Sequence, residues 1–165
     1  MRATPDLSEP TAFARFYDEA LPRIYGYFLR RCGRGAAAAE DLTQETFLAA
    51  VAELRKGRRV DAPIPWIYGI ARHKLIDHYR REARQAEAIA VEEAAHEPSG
   101  EERDRVLDAL RAVPAPQRAA LVLRHMEGLS VPELASVLGR SVEAAESLLA
   151  RGRVGFRRAY QEEAS

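Results

Sequence analysis

Ala119, Val122, Leu123 and Met126 are spaced i, i+3, i+4, i+7, the one-face pattern of an amphipathic helix, and Gly128 ends the run. A fresh start follows at Ser130-Val131-Pro132-Glu133. Ser130 can accept from an orphan backbone N–H, Glu133 can reach back to the cap, and Pro132 sits where no helical donor is lost. Leu134, Val137 and Leu138 supply that helix's buried side, and Gly139 permits the left-handed turn that closes it. Ser141 is placed to cap a final helix whose apolar stripe is Val142, Ala145, Leu149, Gly152 and Phe156. Two helices joined by a glycine-containing turn are the unit that sets its second helix in a DNA major groove.

The outward face of the final helix carries Glu143, Glu146, Ser147, Ala150 and Arg151, with Arg153, Arg157 and Arg158 downstream. Arginines that follow base-reading positions suit phosphate contacts. Basic helix ends also simply complement the macrodipole, so the arginines alone leave two readings. The tight two-helix pattern before them favours DNA.

Upstream, residues 1–10 hold two prolines and little apolar content, and are expected to be a mobile lead-in. Phe13, Phe16, Tyr17, Leu21, Ile24, Tyr25, Phe28 and Leu29 form a dense helical stripe from near Thr11, with Pro22 inside it as a kink or boundary. After Gly33-Arg34-Gly35, a second helix is expected over residues 36–56, with Phe47, Val51 and Leu54 inward and Asp41, Gln44 and Glu45 nearly opposite. Two exposed carboxylates usually mark a solvated face; a catalytic pair would need a pocket. Residues 57–65, with a glycine and two prolines around Arg58 and Arg59, read as a loop.

A third helix is expected over residues 66–84, with Ile67, Tyr68, Ala71, Leu75 and Tyr79 inward. His73, Asp77, Arg80 and Arg84 form a polar stripe beside the arginine-bearing loop. Such a stripe suits single-strand or phosphate contact, or is an ordinary solvated face. Residues 87–100 are acidic, poor in large apolar groups, and end Glu97-Pro98-Ser99-Gly100, which reads as a linker. Helix resumes near Glu101, with Val106, Leu107, Leu110 and Val113 packing before Pro114-Ala115-Pro116. No strand-period segment or repeat interrupts this. The expected fold is all-α, two small helical domains joined by a flexible acidic linker.

Charge sharpens that division. Lys and Arg cancel Asp and Glu at 25 each, yet residues 87–109 hold eight acidic against two basic, between mildly basic flanks. A single cysteine, Cys32, excludes an internal disulfide and any Cys-pair metal site, and fits a reducing cytoplasm. No run approaches the roughly 18 apolar residues of a membrane span, and the start lacks the apolar core of a signal peptide, so no membrane insertion is expected. Phosphate loops, ligand spacings and nucleophile elbows are missing. His73, His78, His96 and His125 are scattered, leaving no expected metal site, cofactor or catalytic residue.

The order of parts resembles the bacterial RNA polymerase sigma factors of the sigma-70 family, extracytoplasmic-function (ECF) class. Ala39-Glu40-Asp41-Leu42-Thr43-Gln44-Glu45-Thr46-Phe47 is similar to region 2.2 of that family. The stretch Trp66-Ile67-Tyr68-Gly69-Ile70-Ala71-Arg72-His73-Lys74-Leu75-Ile76-Asp77-His78-Tyr79-Arg80-Arg81 is similar to regions 2.3 and 2.4, and residues 121–158 to region 4.2. The resemblance implies region 2 over residues 11–86, a linker over 87–102 and region 4 over 103–160.

It further implies that Asp41, Gln44, Glu45 and Leu48 meet the coiled coil of the largest core polymerase subunit, with the flap of the second largest as another contact. Arg58, Arg59, Trp66, Arg72, His73, Lys74, Asp77, Arg80 and Arg81 would open and read the minus ten element, capturing an unstacked base. Ser141, Glu143, Glu146, Ser147, Ala150 and Arg151 would read the minus thirty-five element, with Arg153, Arg157 and Arg158 on phosphates. An anti-sigma factor is an expected partner.

The family's recognition helix usually carries basic residues where Glu146 and Leu148 stand. Glutamate can accept a hydrogen bond from cytosine N4 but repels phosphate, so weak affinity or an unusual upstream element is expected. A stand-alone helix-turn-helix regulator is the alternative reading, and it would bind paired half-sites without polymerase.

Overall fold

The computed structural model describes residues 4–32, 35–86 and 102–162, and every described element is helical. Order begins before Thr11. Leu7 is buried, Asp6 Oδ1 accepts from the Ser8 N–H at 3.0 Å and the Ser8 hydroxyl at 2.7 Å, and the Glu9 N–H donates to the Asp6 carbonyl. The part of the expected mobile lead-in from Leu7 onward is therefore packed. Helix α1 (Pro10–Arg31) then continues through Pro22 without ending. Pro22 lies on the exposed side of the helix, where water can satisfy the Asp18 carbonyl that loses its N–H partner. Phe16, Ala20, Ile24, Tyr27 and Phe28 form its buried face.

Helix α2 (Gly35–Arg55) buries Ala39, Leu42, Thr43, Thr46, Phe47 and Ala50, while Val51 and Leu54 are only half-buried. The two threonines enter the core because each hydroxyl donates to the carbonyl four residues back, Thr43 to Ala39 and Thr46 to Leu42, both at 2.7 Å. The helix ends in a Schellman turn. Gly57 takes φ +84°, its N–H donates to the Leu54 carbonyl, and the Arg58 N–H donates to the Glu53 carbonyl. Helix α3 (Pro63–Ala86) starts earlier than Trp66 because both loop prolines fall in its first turn, where no N–H is needed. Ile67, Ala71, Leu75 and Tyr79 are its buried face, spaced at i+4 throughout.

The contacts divide the chain into two units after Leu75, inside α3. The first is built on α1 packed against α2. In the second, α7 (Val142–Glu162) packs against α4 (Glu102–Ala112), α5 (Ala115–Leu121) and α6 (Val131–Leu138). A Cβ on Gly152 would lie 3.1 Å from Leu121 Cγ and 3.2 Å from the Gln117 carbonyl oxygen, so a missing side chain sets how closely α5 and α7 approach. Of the expected linker over residues 87–102, only Glu102, the first residue of α4, is described.

Arg118 ties α4 to α5. It is buried, and its guanidinium donates to the Leu110 carbonyl at 2.8 Å, the Val113 carbonyl at 2.8 Å and the Arg111 carbonyl at 3.2 Å. The Leu110 carbonyl also accepts the Val113 N–H at 3.2 Å, so the guanidinium adds a second donor there and serves the Arg111 and Val113 carbonyls as well, one planar fork reaching all three.

The helix expected to run on from Ala119 changes form at Val122, where a π-helical turn spans Val122–Met126. Its i→i+5 bonding inserts a residue into the turn, which rotates Met126 outward, to 38% exposure, while Ala119, Val122 and Leu123 stay buried. Gly128 at φ +71° closes the turn, and Arg124 Nη1 donates to the Leu129 carbonyl at 2.8 Å.

Candidate nucleic-acid interface

The helix-turn-helix forms as its caps predict. Ser130 Oγ accepts from the Glu133 N–H at 3.3 Å while Glu133 Oε2 accepts from the Ser130 N–H at 2.8 Å, a complete capping box. Gly139 takes φ +62°, and the Arg140 N–H returns to the Ala135 carbonyl at 2.9 Å, closing α6. Ser141 Oγ accepts from the Ala144 N–H at 3.1 Å. Its oxygen is thus committed to starting α7, leaving the hydroxyl proton for other acceptors.

At about 100° per residue, Glu143, Glu146, Ser147, Ala150, Arg151, Arg153, Arg157 and Arg158 fall within an arc of roughly 160° on α7. All eight are exposed. Glu143 and Glu146 make no ion pair among the described residues, and neither do Arg157 and Arg158. Arg151 Nε reaches only the Ser147 carbonyl, at 3.4 Å. The face is therefore acidic near its start and carries unneutralised arginine further on.

Two stripe positions exchange places. Leu148 is buried at 5% exposure and Val142 is 39% exposed, the reverse of the expected inward Val142. Leu148 lies on the side of Ala145, Leu149 and Gly152, so a basic residue there would be sunk in this unit's core. The chain's departure at Leu148 is a packing choice, and only Glu146 changes the charge of the outward face. Val154, at 56% exposure, lies in the middle of that face and carries no charge to draw attention in the sequence.

His125, on the π turn, has its pKa lowered, first by burial and then by the nearby charges of Arg153 and Arg124. Lowered below its ordinary range, it is neutral at neutral pH and adds no cation beside Arg153.

In the first unit, Asp41, Gln44, Glu45 and Leu48 follow the i, i+3, i+4, i+7 rule on α2, opposite its threonine-bearing face. Asp41 and Gln44 are exposed, Glu45 is half-buried, and Leu48 is 69% exposed, the largest exposure of any large apolar side chain described. An apolar group in an acidic stripe with nothing over it is a partner surface in composition.

The loop and α3 residues divide. Arg59, Arg72, His73 and Arg81 are exposed, and Lys74 is half-buried. Arg80 Nη1 holds Asp77 at 2.9 Å, and His73 Nδ1–H donates to the Gly69 carbonyl at 2.9 Å. Trp66 is half-buried, its ring centroid 6.3 Å from that of Phe16, and its indole N–H donates to Glu53 Oε2 at 3.1 Å. Glu53 also meets Arg58 Nε at 3.4 Å. Sequence reading missed Glu53, because a partner thirteen residues away leaves no periodic signal.

No helix among the described residues is long and apolar enough to cross a membrane, and no group of three or more His, Cys, Asp or Glu there is placed to hold a metal ion.

Residues 16–85 match sigma-70 region 2, and residues 103–154 match sigma-70 region 4. The chain is 34% identical over 154 residues to the ECF RNA polymerase sigma factor BldN of Streptomyces coelicolor, covering 85% of this chain and 57% of BldN. It thus spans little more than half of that relative. It is 33% identical over 149 residues to the RNA polymerase sigma factor CarQ of Myxococcus xanthus, covering 86% of this chain and 84% of CarQ. The sigma factor RpoE of Bartonella quintana, solved in complex with the anti-sigma factor NepR, shares the fold with a TM-score of 0.50 at 22% identity, over 90% of this chain and 96% of that one. The two matched regions and these relatives place the chain in the sigma-70 family of RNA polymerase sigma factors, among those of the extracytoplasmic-function class.

Proposed function

We propose that this chain is a dissociable subunit of bacterial RNA polymerase that binds the core enzyme and confers promoter-specific initiation. It works in the cytoplasm, without cofactor or catalytic residues of its own. The observation that supports this best is the presence, in one chain, of a partner-type face on α2 and a fully capped helix-turn-helix with arginines on its outward face. Region 2 extends over residues 11–86, the linker over 87–102 and region 4 over 103–160. Asp41, Gln44, Glu45 and Leu48 bind the coiled coil of the largest subunit, region 4 meets the flap of the second largest, and α7 reads the minus thirty-five element. The loop after α2 and the exposed face of α3 open and read the minus ten element. An anti-sigma factor is a partner of this chain, as NepR is of RpoE in the solved complex.

The test mixes the full chain with core polymerase and scores transcripts from a library of genomic upstream fragments. Discrete start sites that vanish without the chain are expected. Failure to bind core polymerase, together with tight binding to palindromic duplex DNA, would leave a stand-alone regulator instead.

Glu146 gives this reading a charge-specific consequence. It stands at the acidic start of the α7 face, ahead of four arginines and with no ion pair among the described residues, so it opposes phosphate and favours a cytosine amino group. Glu146→Arg is expected to steepen the salt dependence of promoter binding by about one unit of log K per log salt, and to shift upstream preference away from cytosine. Titrating the polymerase-bound chain onto promoter fragments at several salt concentrations reads both. An unchanged slope means that Glu146 does not face the duplex.

A further inference from the structure

In the first unit one carboxylate joins the end of α2, the loop after it and the start of α3. The Schellman turn makes Glu53 the third residue from the helix end and Arg58 the second after it, positions whose side chains the turn itself brings together. An apolar contact ordinarily fills that place. Here Glu53 Oε2 sits 3.4 Å from Arg58 Nε and accepts the Trp66 indole N–H at 3.1 Å. Phe16 backs the indole. The Arg58 side chain is 58% exposed and that of Glu53 39%. Contact through Nε leaves the two terminal nitrogens of the guanidinium toward solvent, with no other partner for them among the described residues.

An arginine held in this way differs from its neighbour Arg59. Its charge is compensated by Glu53, which weakens its pull on phosphate, while the contact at Nε favours one direction for its remaining donors. Compensated charge with oriented donors suits the acceptor edge of a neutral base better than a backbone phosphate.

We infer that Glu53 is a positioning residue for base selection: it holds the Arg58 guanidinium beside Trp66, so that the free nitrogens donate to the acceptor edge of an unstacked base in single-stranded promoter DNA. This rests on the promoter-opening role proposed above. It assigns selectivity at one position to an ion pair and not to aromatic packing alone.

The experiment uses the full chain bound to core polymerase and fluorescent single-stranded oligonucleotides that carry each of the four bases at each minus ten position. The wild-type chain is expected to prefer one base at least tenfold at one position. Glu53→Gln keeps an acceptor for the indole but removes the charge, and the preference should fall below threefold while affinity for the strand as a whole holds or rises. Arg58→Ala should lose the same preference, and adding Glu53→Gln to it should change nothing further.

Emission from Trp66, the one tryptophan of the chain, checks the site in the free protein. It should be unchanged in Glu53→Gln and shifted in Glu53→Ala. A preference that survives Glu53→Gln, or effects of the two substitutions that multiply independently, overturns the proposal and leaves Glu53 a helix-end brace. A wild-type complex that binds the strand with no base preference at any position also overturns it, but leaves polymerase binding standing; no association with core polymerase overturns the underlying function as well.

Discussion

Leu48→Arg is expected to weaken binding to core polymerase by at least thirtyfold, equivalent to about 2 kcal/mol, and to abolish promoter-dependent transcripts at ordinary concentrations. Leu48 is 69% exposed at the end of the Asp41, Gln44 and Glu45 stripe, so nothing in its own unit depends on it. An exposed apolar group surrounded by acids has the composition of an interface centre facing a basic partner. Arginine there removes the apolar contact and sets like charge against the partner in one step. Folding should be untouched, with a thermal midpoint close to wild type, which separates this variant from a merely damaged one. Association of the labelled chain with core polymerase provides the measurement, and Ala14→Arg, at an exposed position on α1, is the control. Equal binding by the two variants would show that α2 presents this face to solvent alone.

What the sequence made legible was local. The capping box at Ser130 and Glu133, the left-handed Gly139 and the Ser141 cap depend on residues close together in sequence, and each forms. The two-helix unit could therefore be placed without knowing what it packs against. Failures arose where a wider context decides. Periodicity assigned Val142 inward, because a valine at i−3 from Ala145 completes a stripe; at the first turn of α7 that direction finds less core than Leu148 does. The π turn at Val122 leaves no mark in an apolar pattern and moved only Met126. Pro22 stood as a kink or a boundary, and it is not a boundary: an exposed proline in a helix with a well-packed opposite face costs one hydrogen bond and not the helix.

The same limit shaped the candidate sites. Exposed charge on α2 and α7 could be read from helical phase, and those residues do lie on common outward faces. Trp66 could be recognised as an aromatic beside arginines, but its indole hydrogen bond to Glu53 joins the ends of two helices across a loop. Glu53 accepts from two side chains across a loop, whereas Arg118 donates to carbonyls at the end of α4. Helix ends expose several backbone acceptors within a few ångströms, so a single long side chain can satisfy them from a distant place in sequence. No rule of spacing announces such a residue.

Arg118 carries the heavier consequence for stability. Arg118→Met keeps much of the buried length and volume but donates nothing, leaving the Leu110, Arg111 and Val113 carbonyls without the guanidinium that serves them. The Leu110 carbonyl keeps the Val113 N–H, whereas the Arg111 and Val113 carbonyls lose their guanidinium donor. Buried acceptors left unsatisfied cost about 1–3 kcal/mol each, and partial recovery by water and by relief of the buried charge brings the expected net loss to about 3 kcal/mol. For a helical unit of this size that is a fall in thermal midpoint of roughly 12–24 °C. Lysine is expected to fall between, since one ammonium cannot follow the planar arrangement of three carbonyls. Trp66 lies in the other unit and would not report the change, so the measurement is far-ultraviolet circular dichroism with heating, joined to hydrogen exchange of the α4 and α5 amides. Faster exchange in α4 and α5, and loss of dependence on the upstream element while core binding through α2 persists, would identify Arg118 as the bond holding α4 to the helix-turn-helix. A midpoint within a few degrees of wild type would mean that the end of α4 finds water as good a partner as the guanidinium.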